Sequence, residues 1–123
     1  MKFRCIIPQR YYKTLLILLS LLLCGFSYEE STKLPAMSEK DECVELEQGT
    51  VLTYHFKTSL SVKFDLHSHI SESESLSLDS SYGTTGRGPK KVVIKRAGVY
   101  CLNWKNRYKR DIKLDYKIQF KEL

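Results

Sequence analysis

The chain has 123 residues, 42% of them hydrophobic and 28% charged, with 20 Lys/Arg against 14 Asp/Glu for a formal charge of +6. That length holds one domain around a single core and excludes a second. The cationic excess does not indicate a nucleic-acid binder, because four of the cations sit in an N-terminal leader.

The opening, MKFRCIIPQRYYKTLLILLSLLLCGFSYEES, places Lys2, Arg4, Arg10 and Lys13 before an uncharged apolar run from Thr14 to Phe26. Those 13 residues fall short of the roughly 20 that a helix needs to span a bilayer. Gly25 and Ser27 supply small residues for a cut after Ser27, so residues 1–27 read as a signal-peptide helix. Two alternatives stay open: an uncleaved anchor, which would confine membrane contact to this segment, and a lipid-bearing Cys24, against which the bulky Leu23 argues. Loss of the leader's four cations lowers the formal charge from +6 to +2 and leaves 96 residues. What remains is uneven, with 4 Lys/Arg against 11 Asp/Glu in residues 28–86 and 12 against 3 in residues 87–123. In a sandwich whose first and last strands interleave, the two halves neutralise one another across the surface.

Residues 28–42, YEESTKLPAMSEKDE, are acidic, carry a proline and follow neither period, so they read as a flexible linker before a folded unit at 43–123. CVELEQGTVLTYHFK gives two short strands around Gln48-Gly49, with Leu52, Tyr54 and Phe56 facing inward. SVKFDLHSHI follows across a hairpin at Thr58-Ser59-Leu60, with Val62, Phe64, Leu66 and Ile70 on its buried side. The serine-rich stretch from Ser68 to Ser81 offers at most one weak strand through Leu76 and Leu78, and YGTTGRGPK reads as a glycine-rich loop. KKVVIK is a strand, and Arg96-Ala97-Gly98 a turn. The segment GVYCLNWKNRYKRDIKLDYKIQF supplies the last two strands, with inward ladders Tyr100/Leu102/Trp104 and Ile112/Leu114/Tyr116/Ile118/Phe120. No helix of normal length follows the leader, and six or seven short strands with turns between them predict an all-β, antiparallel β-sandwich.

Cys5 and Cys24 lie in the leader, leaving Cys43 and Cys101. An even count in an exported chain predicts one disulfide, and both residues alternate out of the core-facing ladders. A catalytic thiol would need a base partner that nothing in the sequence indicates.

Taken together, ECVELEQGTVLTYHF, VKFDLHSH, GVYCLNWKN and IKLDYKI resemble the GOLD (Golgi dynamics) domain, a jelly-roll-type β-sandwich of early-secretory-pathway cargo receptors and some lipid-transfer proteins. The likeness covers roughly Cys43 to Phe120, with Gly98, Tyr100, Trp104 and Asn106 matching the family's Gly-x-Tyr, aromatic and asparagine positions, and Cys43 and Cys101 resembling the receptors' cysteine pair. Cys101 follows Tyr100 directly, earlier than the receptors place theirs. The coiled coil, membrane span and sorting tail of the receptors have no counterpart here. The resemblance therefore implies an exported protein-interaction module rather than a cargo receptor.

The sharpest local chemistry is DLHSH. Asp65, His67 and His69 share one strand face, and histidines two residues apart can chelate Zn²⁺ or Cu²⁺; the bland reading is a solvated sheet face. WKNRYKRDIK surrounds a turn with Arg107, Lys109 and Arg110, which could contact an anionic membrane or polysaccharide. Trp104 belongs to the inward ladder, and this argues against base stacking and nucleic acid. GTTGRGPK lacks the Lys-Ser/Thr ending of a phosphate loop, and neither a nucleophile elbow nor a paired-acid arrangement argues for hydrolysis. The sequence thus predicts a non-enzymatic module that needs no cofactor and binds an unidentified protein partner or ligand. Secreted, periplasmic or secretory-lumen locations all fit. The alternative is an exported Zn/Cu-binding protein using Asp65, His67 and His69.

Overall fold

A computed structural model describes residues 2–3, 25–69 and 75–122. The expected signal helix therefore lies almost wholly outside the described residues, as does the expected burial of Ile70. The elements are β1 (Lys2–Phe3), β2 (Gly25–Leu34), β3 (Glu39–Leu46), β4 (Val51–His69), β5 (Ser75–Val93), β6 (Gly98–Lys105) and β7 (Ile112–Lys121), with no helix among the described residues.

The organising element is β4, at 19 residues far longer than the two strands expected there. One margin carries β5 over its length, while the other is divided: residues 51–58 pair with β7 and residues 63–69 with β6. Outside that ribbon, β2 pairs with β7, and β3 with β6, all antiparallel; β1 adds a short parallel pairing to β3. A single sheet thus curls through β4 so that its β2–β7 half faces its β3–β6 half, which is a β-sandwich closed along one side by the β4–β5 ribbon. The expected hairpin at Thr58-Ser59-Leu60 is instead a bend within one strand. There the Thr58 hydroxyl donates to the Leu60 carbonyl at 2.6 Å, and the Ser59 hydroxyl accepts the Lys113 N–H at 2.9 Å.

The core follows two-residue parity. Leu52, Tyr54 and Phe56 are buried on one side of the bend and Val62, Phe64 and Leu66 on the other. Both C-terminal ladders bury as expected, with Trp104 at the centre, its ring centroid 4.7 Å from Tyr116, 5.7 Å from Phe64 and 6.0 Å from Phe56.

Two segments depart from their expected form. Residues 28–42 contribute paired residues to β2 and β3, with Tyr28, Glu30, Thr32 and Leu34 facing inward. The inward polar residues that mask the period have partners: the Tyr116 hydroxyl reaches Glu42 at 2.5 Å and also Glu30, and Lys40 sits 3.3 Å from Glu42. The glycine-rich stretch is likewise strand, the second half of β5. It is irregular because β4 spends Lys57 to Val62 where β5 spends only Gly86 to Thr84. A Cβ on Gly86 would stand 2.9 Å from the Phe56 carbonyl oxygen, so the close approach there needs glycine. Pro89 is tolerated because β5 pairs only with β4 among the described residues, leaving its other margin free of ladder donors.

Asn106 locks the β2–β3 turn to the β6–β7 turn. Its amide donates to the carbonyls of Leu34, Pro35 and Arg110 at 2.9–3.1 Å, and its side-chain oxygen accepts the Tyr108 N–H.

Candidate functional site

The outward face of the β3–β6–β4 half is a patterned polar surface because every second residue on three adjacent strands points there. Cross-strand register places Cys43, Cys101, His67 and Ser77 in one lateral row, through β3, β6, β4 and β5. The neighbouring rows are Asp41, Asn103 and Asp65 on one side and Glu45, Val99 and His69 on the other. Part of this face forms a cleft of about 510 Å³, with the disulfide and both histidines in its wall.

Cys43 and Cys101 are bonded to one another. Both lie off the core-facing side; Cys101 is buried by its lateral neighbours and Cys43 is half-buried. The rings of His67 and His69 stand 4.8 Å apart, edge to face. His67 donates from Nδ1 to Asp65 Oδ2 at 3.0 Å, and the Ser77 hydroxyl donates to Asp65 Oδ1 at 2.8 Å. Both carboxylate oxygens are therefore engaged. Asp65 holds the imidazole in the tautomer whose free lone pair is on Nε2, the arrangement by which an acid orients a metal-ligating histidine from behind. The group that instead joins the two histidines is Cys101, and the ligand atoms of His67, His69 and Cys101 all lie within 4.8 Å of one another. Sequence reasoning found the two histidines but missed their proximity to the bridge, which depends on the lateral strand order. His55, opposite Lys117, belongs to the other half of the sheet.

The remaining charges on this face are largely internally matched. Asn103 donates to Asp41 at 2.6 Å, Lys105 lies 3.4 Å from Glu39, and the Lys63 ammonium stands 4.9 Å from the centroid of the exposed Tyr82 ring. Arg107, Lys109 and Arg110 are exposed at the β6–β7 turn and do not line the cleft.

A second concavity, about 810 Å³, runs between the start of β5 and the β5–β6 turn. Leu76, Leu78 and Val93 line it while remaining 52%, 39% and 55% exposed, and Lys91, Lys95 and Arg96 flank them. On the inner side of β5, Asp79 binds Tyr54 and Arg87 at 2.5 Å each and Lys90 at 3.1 Å. Burial alone would raise its pKa, but the hydrogen bonds from Tyr54 and Lys90 and the Arg87 charge outweigh that and hold it below the usual carboxylate range.

These features define an all-β fold of β-sandwich type with a disulfide on one outer face. No protein-family model matches the chain, and no curated protein matches it by sequence. Among solved structures it is similar to PliG of Aeromonas hydrophila, a periplasmic inhibitor of g-type lysozyme. The TM-score is 0.61 at 8% identity, over 79% of this chain and 88% of that one. It is also similar to the Yersinia pseudotuberculosis-derived mitogen, with a TM-score of 0.57 at 9% identity over 80% and 87% of the two chains. At such identities the likeness is one of fold.

Proposed function

We propose that the chain is an exported, non-enzymatic β-sandwich module that binds a protein partner in the groove lined by Leu76, Leu78 and Val93. The observation that carries this reading is the clustering of those exposed apolar side chains beside Lys91, Lys95 and Arg96. Contiguous apolar surface rimmed by charge is what a docking protein covers. The fitting partner segment presents apolar side chains flanked by carboxylates. Export is supported by the basic-then-apolar leader and by the Cys43–Cys101 bridge, a bond that persists in oxidising compartments. A signal-peptide cut after Ser27, which would shorten β2 by Gly25, Phe26 and Ser27, and a secreted, periplasmic or secretory-lumen location belong to the same reading. The similar folds of a lysozyme inhibitor and a mitogen are consistent with a non-catalytic role. The GOLD-like residues Tyr100, Trp104 and Asn106 support the sandwich itself, since each is built into core or turn.

The test compares capture of exported proteins by the wild-type chain and by a Leu76→Ser/Leu78→Ser/Val93→Ser variant, with an Arg107→Ala/Lys109→Ala/Arg110→Ala variant as control. The expected result is a partner retained by wild type and control but lost from the groove variant. A partner retained equally by all three would reject the groove. Loss only from the basic-turn variant, with salt-sensitive binding to anionic vesicles, would move the function to that turn.

A further inference from the structure

The polar face carries a second inference, argued from other observations than the groove, although His69 lines both concavities. We propose that Cys43, Cys101, His67 and His69 form a divalent-metal site that is closed while the disulfide is intact and opens when a dithiol reduces it. Three observations support this. The register stacks Cys43, Cys101 and His67 side by side on adjacent strands, with His69 one pleat along. The three ligand atoms of His67, His69 and Cys101 fall within 4.8 Å of one another, and the Cys43 sulfur is bonded to that of Cys101 from the strand beyond it. Asp65, itself fixed by Ser77, pins His67 through Nδ1 and leaves Nε2 for the metal.

In the oxidised chain the two imidazoles are only half a coordination sphere, because the thiolate rather than the bridged sulfur is the metal ligand. Reduction changes that. A thiolate of the dithiol attacks the half-buried Cys43 sulfur and the S–S electron pair leaves with Cys101. The reductant's second thiol then displaces Cys43 from the mixed disulfide. The dithiol loses two electrons and two protons and becomes a cyclic disulfide, while the protein gains two thiols. Binding Zn²⁺ releases the two thiol protons and yields a Cys₂His₂ set, a closed tetrahedral sphere in which the sulfurs stand about 3.7 Å apart. Side-chain rotation on neighbouring strands can reach that spacing without moving the ladder, and the exposed His69 can swing inward to complete it.

The experiment titrates Co²⁺, a Zn²⁺ surrogate with visible bands, into the oxidised chain and into the chain reduced with a phosphine. Expected are one Co²⁺ per reduced chain, tetrahedral d–d bands with a thiolate charge-transfer band, and affinity at least about 100-fold above that of the oxidised form. His67→Ala/His69→Ala and Cys43→Ser/Cys101→Ser should each abolish the spectrum, and Asp65→Asn should weaken binding by about 10–100-fold while retaining it. If reduction alone unfolds the chain, metal should restore the strand signal in far-ultraviolet circular dichroism for wild type but not for the double-histidine variant. Equal affinity in both redox states, a reduced complex without thiolate bands, or refolding that ignores the histidines would each overturn the proposal.

Discussion

Glu30 and Asp79 are two carboxylates whose surroundings favour the charged form. The hydrogen bond from the Tyr116 hydroxyl, reinforced by Lys40, lowers the pKa of Glu30; for Asp79 the partners on Tyr54, Lys90 and Arg87 overcome the opposing effect of burial. A carboxylate with a lowered folded pKa contributes stability that is complete above its unfolded value, 4.5 for Glu and 3.8 for Asp, and is lost as pH falls through the folded value. Thermal melting should therefore vary little on this account from pH 7 to 5 and fall below about pH 4.5. Asp79→Asn should flatten the acid limb and cost about 1–3 kcal/mol at neutral pH, because it weakens the hold on buried Tyr54 and Arg87. An unchanged pH profile in that variant would assign the acid sensitivity elsewhere.

Among the elements, β4 and β5 show where local pattern is enough and where it is not. Leu52 through Leu66 keeps apolar residues at every even position but Thr58, and Thr58-Ser59-Leu60 contains no Gly, Pro, Asn or Asp, the strongest tight-turn formers. A parity that keeps its phase through Thr58 already spoke for one strand. The final two strands were legible because apolar residues fill each inward position from Ile112 to Phe120. In β2, by contrast, Glu30 and Thr32 occupy inward positions, and in β3 so do Lys40 and Glu42, so the pattern vanishes unless Tyr116 is known to stand opposite. The same limit governs the site. His67 and His69 could be paired from their spacing alone, whereas the bridge beside them follows from β6 lying between β3 and β4, a fact of long-range order. In β5 the glycines suggested a loop, yet Gly86 serves the close contact with β4. Gly86→Ala should destabilise by about 1–3 kcal/mol in urea melts, since its new methyl meets backbone rather than a yielding side chain. Gly88→Ala, where the added carbon meets nothing within 4 Å, is the matched control and should change stability far less.

For the molecule as a whole, the ribbon of β4 and β5 belongs to both facing layers and so couples the unfolding of one to that of the other. The disulfide links β3 to β6 across 58 residues of sequence, and on the chain-entropy account such a closure contributes about 4 kcal/mol. Cys43→Ser/Cys101→Ser should accordingly lower stability by up to about that amount while circular dichroism and tryptophan fluorescence still report one coincident transition. Two separated transitions would mean that the halves fold as independent units. The opposite charges of the two sequence halves also meet within this framework, as Asp79 with Arg87 and Lys90, and Glu39 with Lys105.

The outer margin of β5 is protected unequally. Pro89, Lys90 and Lys91 discourage a foreign backbone from pairing along its second half, whereas Ser75 to Tyr82, unpaired on that side among the described residues, has neither proline nor cation: besides the inward Asp79 and the exposed Tyr82 it holds only serines and two exposed leucines. Any templated growth of one copy upon another, whether as a swapped pair or a nascent filament, therefore has its point of entry in that serine-rich half.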